Sequence, residues 1–150
     1  MIQRIQSVYL LVVTILLIVC MCTPVGAYIA EDYSVSKFTY LCIVSADGVK
    51  DYAPWAMFVI LVVAALLSFT TIFMFKKRML QIRMTIFSTI LLVGYYATLI
   101  TFIFMLKDDS MTFSASWTLC LPFVAIILNW LAIRAIGKDE VLVKAYDRLR

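Results

Sequence analysis

A chain of 150 residues, 65% of them hydrophobic and only 15% charged, has too little polar surface to cover a soluble fold of its size. Its mean hydropathy of +1.03 instead predicts apolar faces turned to lipid. The net charge of +4 does not signal a nucleic-acid partner, because the basic residues fall where membrane topology accounts for them, and the lack of any histidine removes the commonest acid–base side chain and transition-metal ligand.

A helix rising about 1.5 Å per residue needs ~20 apolar residues to cross a hydrocarbon core of ~30 Å. The first such stretch covers about residues 5–23, an uncharged run of Val, Leu, Ile and Met preceded by Arg4. Arg4, the apolar core and Pro24-Val25-Gly26-Ala27 also fit a secretory leader cleaved after Ala27, but the run is long for a leader and reads as a retained span. The outer connection, about residues 24–53, is too long for a bare turn. Within it Lys37 to Val44 is rich in Phe, Thr, Tyr, Ile and Val and leads to Asp47-Gly48, which predicts a strand, a turn and a short return toward Tyr52. A small β-containing cap is expected there.

The second span covers about residues 54–75 and opens on Pro54, a residue suited to a first helical turn. Lys76, Lys77, Arg78 and Arg83 fill the next connection, and the third span follows at about residues 84–106. Lys107 to Ser116 reads as a short, acidic, solvated link. The fourth span covers about residues 117–133, with Pro122 in its early turns, where lost hydrogen bonds cost least. A separate tail helix is expected at about residues 137–150, with Leu142, Tyr146 and Leu149 on one face and Glu140–Lys144 as an i, i+4 pair. Its basic residues are placed to rest on anionic inner-leaflet lipid or to stay solvated.

Charge placement sets the orientation. Arg4, the Lys76–Arg83 cluster and Arg134, Lys138, Lys144, Arg148 and Arg150 put ten of the thirteen basic residues on one side of the four spans. The other side has Lys37, Lys50 and Lys107 with six of the nine acids, Glu31, Asp32, Asp47, Asp51, Asp108 and Asp109. The positive-inside rule then makes both chain ends cytoplasmic. Tyr28, Tyr52, Trp55 and Trp117 fall at the outer boundary and Tyr9 and Trp130 at the inner one, the depths that Tyr and Trp favour.

Chemistry-bearing motifs are sparse. Cys20, Cys22, Cys42 and Cys120 all belong to the outer, oxidising side, where they suit inert apolar thiols, a structural disulfide or a thiol–disulfide relay. A relay usually uses Cys-x-x-Cys, whereas the pair here is Cys20-x-Cys22. Cys20, Met21 and Cys22 make only a weak set of soft metal ligands, and no metal or cofactor is expected. No span carries the mid-membrane charge that marks a transport pathway. Asn129, Ser68, Thr70, Thr71, Ser88, Thr89, Thr98 and Thr101 suit hydrogen bonds between helices or back to their own helix. Nucleophile elbows, phosphate-binding glycine loops and metal-ligand spacings are absent, and nothing points to an enzyme.

The opening Met1-Ile2-Gln3-Arg4-Ile5-Gln6-Ser7-Val8-Tyr9-Leu10 resembles the start of an uncharacterised family of small four-span membrane proteins found in Bacteroidetes. The close, Arg134-Ala135-Ile136-Gly137-Lys138-Asp139-Glu140 with Asp147-Arg148-Leu149-Arg150, is similar to the end of the same family. The resemblance implies a bacterial inner membrane with a periplasmic outer side. It carries no catalytic or binding residue, because the family is a domain of unknown function. Since both end segments are predicted to be cytoplasmic, Arg4 is expected to meet Asp139 and Glu140 beneath the spans. The sequence thus reads as an all-α membrane protein, four helices in an antiparallel up-and-down bundle with a β-containing outer loop. It is expected to work non-enzymatically through contacts with membrane lipid and with itself or another membrane protein. A periplasm-facing thiol–disulfide protein and an oligomeric small-solute transporter are the alternatives.

Overall fold

The computed structural model describes residues 3–30, 34–45, 47–74, 77–105 and 111–148, with the side chains of residues 3, 4, 111, 144 and 146–148 outside the description. Four helices carry most of the chain: α1 (Gln3–Cys22), α2 (Trp55–Phe73), α3 (Arg78–Met105) and α4 (Cys120–Arg148). All four are long and apolar enough to cross a membrane. α1 packs against α2 and α4, and α3 against the same two helices. The buried positions follow the 3–4 spacing of a helix seam: Gln6, Leu10, Val13, Leu17 and Cys20 on α1, and Ala125, Asn129, Ala132, Ile136 and Asp139 on α4.

Two helix boundaries differ from the sequence expectation. α3 starts at Arg78, so Arg78 and Arg83 lie on its first turns and not in a loop. Hydropathy marks where a helix is apolar, not where its hydrogen bonding ends, and Gln81 is buried on this basic extension. The expected division between a fourth span and a tail helix is also absent, because α4 runs unbroken from Cys120 to Arg148. Gly137 costs the helix some propensity, but the turns on either side bury Ile136 and Asp139. Of the expected tail face, Leu142 is exposed, while the side chain of Tyr146 and the whole of Leu149 lie outside the described residues. The acid pairs Glu31-Asp32 and Asp108-Asp109 lie outside them too.

The expected cap is a five-stranded antiparallel sheet at one end of the helices, in the order β4-β3-β2-β1-β5. Its strands are β1 (Gly26–Ala30), β2 (Val35–Phe38), β3 (Ile43–Val44), β4 (Lys50–Asp51) and β5 (Met111–Ala115). The expected continuous strand from Lys37 to Val44 is instead a hairpin, with Thr39 amide donating to the Cys42 carbonyl. The turn before β4 has Gly48 at φ 79°, the left-handed conformation that glycine adopts without penalty. Residues 111–115, expected to be a solvated link, form a strand paired along the full length of β1. Period-2 alternation explains this: Phe113 faces inward between the outward Thr112 and Ser114. Ala27, the residue before the possible leader cleavage, is paired on both sides inside β1.

The sheet is joined to the helix ends rather than hung beside them. Tyr28 and Phe113 pack with ring centroids 5.0 Å apart, and Phe38 lies 5.9 Å from Tyr28. These rings continue into one apolar cluster with Leu17, Met57, Leu61, Leu92 and Leu99. Polar stitches reinforce the junction. Thr118 donates to the Pro24 carbonyl at 2.8 Å, and the Tyr96 hydroxyl donates to the Leu119 carbonyl at 2.6 Å.

Candidate functional site

The core between the helices is not uniform along its length. Toward the sheet it is lined by Leu17, Cys20, Met57, Leu61, Leu92, Tyr95 and Leu99. Toward the opposite, basic end buried polar side chains join Leu10, Ala132 and Ile136: Gln6, Ser68, Thr71, Gln81, Thr85, Ser88, Asn129 and Asp139. Several are satisfied locally, as expected for hydroxyls in apolar helices. Thr85 donates to the Gln81 carbonyl at 2.9 Å, and the hydroxyls of Ser68 and Ser88 meet across α2 and α3 at 3.2 Å. Asn129 differs. Its side chain is fully buried, and neither its amide nitrogen nor its oxygen has a hydrogen-bond partner in the structure.

Asp139 closes this polar half at the basic end. It is 6% exposed, an unusual degree of burial for a carboxyl group. Gln6 of α1 donates its side-chain amide to the Asp139 carboxylate at 2.5 Å. Arg78, the first residue of α3, donates to the Asp139 backbone carbonyl at 3.2 Å. One turn of α4 thereby ties the ends of α1 and α3. It reaches them because α4 continues past its apolar segment in the same seam phase. Of the residues expected to meet here, Asp139 occupies the contact and Glu140 is half-buried beside it. The Arg4 side chain lies outside the described residues, and the α1 residue seen on Asp139 is Gln6. Sequence reasoning passed over Gln6, whose available signal was its 3–4 register with Leu10 and Val13 on the buried seam.

Beside Asp139, the outer faces of α1 and α4 enclose a groove of about 380 Å³. Its walls are Ile5 and Tyr9 from α1, and Leu131, Arg134, Ala135, Lys138, Asp139 and Leu142 from α4. The Arg134 guanidinium lies 4.8 Å from the centre of the Trp130 ring, a cation–π distance.

The four cysteines all lie toward the sheet end, and all are free thiols. Cys20 is fully buried, with its sulfur 2.9 Å from the Tyr40 hydroxyl; either group can donate. Tyr40 enters from the β2–β3 turn and stacks toward Tyr95 of α3, with centroids 6.1 Å apart. Burial, reinforced by the contact with Cys20, holds the Tyr40 phenol well above its usual range, so it keeps its proton. Cys22 and Cys120 are exposed, and Cys42 is half-buried with its sulfur 3.6 Å from the Thr39 hydroxyl. The chemistry on view at Cys20 is therefore packing and hydrogen bonding by a tyrosine that sequence reading had not linked to it. Among the described residues, no group of three or more Cys, Asp or Glu is placed to hold a metal ion.

With this geometry in place, a family described as a domain of unknown function, DUF4293, matches residues 2–149. The chain belongs to the DUF4293 family. The match takes in both helix ends that meet at Asp139 and every strand of the cap, so the DUF4293 unit is the whole arrangement of helices and sheet. No curated protein matches the chain.

Proposed function

We propose that this DUF4293 protein is a multi-pass protein of the bacterial inner membrane, with both ends in the cytoplasm, that acts as a structural or accessory component through contacts. The observation that carries this is the direction its apolar surface faces. Only 22–33% of the residues in each span's apolar window are buried inside the chain. Large side chains such as Ile15, Leu66, Phe87, Ile90 and Ile127 remain exposed along all four helices. Soluble monomers expose apolar patches of at most a few hundred Å², so a continuous apolar girdle calls for lipid. Orientation rests on the sequence, in which ten of the thirteen basic residues flank the four apolar runs on the side away from the β-containing loop. The bacterial setting rests on the resemblance of the two end segments.

A contact-based role suits what is present at the two ends: a rigid sheet fused to the helix core on one side, and a tied set of helix ends on the other. The fully buried Cys20, held by Tyr40, is a poor nucleophile for thiol exchange, which needs an accessible thiolate. Crosslinking in native membranes followed by alkaline extraction tests the proposal. The protein should stay in the membrane pellet and yield discrete crosslinked species, either with itself or with another membrane protein. Release by alkali would remove the membrane assignment, and a monomer with no crosslinks would remove the contact role.

A further inference from the structure

The groove between α1 and α4 combines three properties that seldom coincide on a solvated helix surface. It is concave, it has apolar walls from Ile5, Leu131 and Leu142, and it carries Arg134 and Lys138 one helical turn apart. Among the described residues neither cation has a carboxylate partner within ion-pair distance, and the Asp139 carboxylate beside them is turned to Gln6. Arg134 is the first charge after the apolar run of α4, so the cations sit where hydrocarbon gives way to headgroups in the membrane reading proposed above. Trp130, exposed one turn deeper and stacked on Arg134, is a residue suited to that boundary.

We propose that this groove binds the phosphate of an anionic phospholipid of the inner leaflet, with Arg134 and Lys138 as counter-charges and the apolar wall holding the first part of an acyl chain. Basic pockets between spanning helices on the cytoplasmic side take such headgroups. A free phosphate ion would satisfy the cations but leave the apolar wall unused, which is why the lipid is the occupant. The proposal rests on the membrane reading, and its test separates the two.

The protein with Trp55→Phe and Trp117→Phe retains Trp130 as its sole tryptophan, beside Arg134. It is reconstituted in phosphatidylcholine vesicles containing a small fraction of either brominated phosphatidylglycerol or brominated phosphatidylcholine, and quenching of Trp130 is measured. The expected result is a preference for phosphatidylglycerol of about fivefold or more, as for one or more net charges near an anionic surface. That preference should fall to about onefold in Arg134→Gln/Lys138→Gln and persist in Arg134→Lys/Lys138→Arg, which keeps both charges. Equal quenching by the two lipids, or a preference that survives the double glutamine variant, overturns the site. Inorganic phosphate that abolishes the preference at unchanged ionic strength overturns the lipid as occupant. Failure to enter vesicles at all overturns the membrane reading and the site with it, whereas entry without preference overturns the site alone.

Discussion

At Asp139 a carboxylate is removed from water and compensated by one amide donor from a different helix. Breaking such a contact from one side leaves a buried polar group unpartnered and costs more than removing both. Gln6→Leu is expected to destabilise the fold by about 2 kcal/mol, and Asp139→Leu by a similar amount. The double variant should lose clearly less than the sum, with a coupling of about 1–2 kcal/mol in a double-mutant cycle read by unfolding in detergent. Additive losses would show that the two side chains are not partners. Tyr40 makes a pH prediction with a definite sign. Its folded-state phenol titrates above the usual value, so the folded state favours the proton. Stability is then fully present below the unfolded tyrosine pKa of about 10, and falls as pH rises past it because only the unfolded chain ionises. Phenolate absorbance against pH should lose one late-titrating phenol in Tyr40→Phe. Loss of a phenol from the ordinary range instead would show that Tyr40 is not held in this way.

At the scale of elements, β1 and β5 approach closely at Gly26. A Cβ placed on Gly26 would lie 2.5 Å from the Ser114 carbonyl oxygen and 2.9 Å from the Phe113 ring. Backbone on one side and a packed ring on the other leave little room to yield, so Gly26→Ala should cost about 1–3 kcal/mol. Thermal unfolding in detergent checks this, and a neutral substitution would mean that β5 is not seated on β1. This pairing also shows why the cap was only partly legible in the sequence. The hairpin turn at Gly48 is local chemistry and could be read, but the partner of Gly26 on its outer side is Ala115, far along the chain. No local pattern reports such a pairing. The four helices were legible because length and apolarity are local properties, while the starts of α3 and the end of α4 were not, since both continue as helix beyond their apolar segments. The cysteines stood out by residue type alone. Their surroundings, with Tyr40 on Cys20, depend on where a turn between two strands folds back. Likewise, Asp139 could be singled out as a charge on a tail, but its tie to Gln6 required knowing that α4 keeps its seam phase to that point.

For the whole molecule, the sheet end and the basic end divide the labour. The sheet closes an apolar half of the core, and Asp139 closes a polar half that includes the unpartnered amide of Asn129. The proposed membrane setting gives the apolar girdle around such a body its physical explanation, and the proposed orientation follows from the sequence's charge asymmetry. Labelling with a membrane-impermeant maleimide on intact cells tests this most directly, using single sites in a variant with Cys22, Cys42 and Cys120 replaced by Ser. Lys50→Cys, exposed on β4, should react from outside, while Arg83→Cys, exposed on the first turns of α3, should react only after the membrane is opened. Labelling of Arg83→Cys on intact cells, with Lys50→Cys protected until lysis, would contradict it.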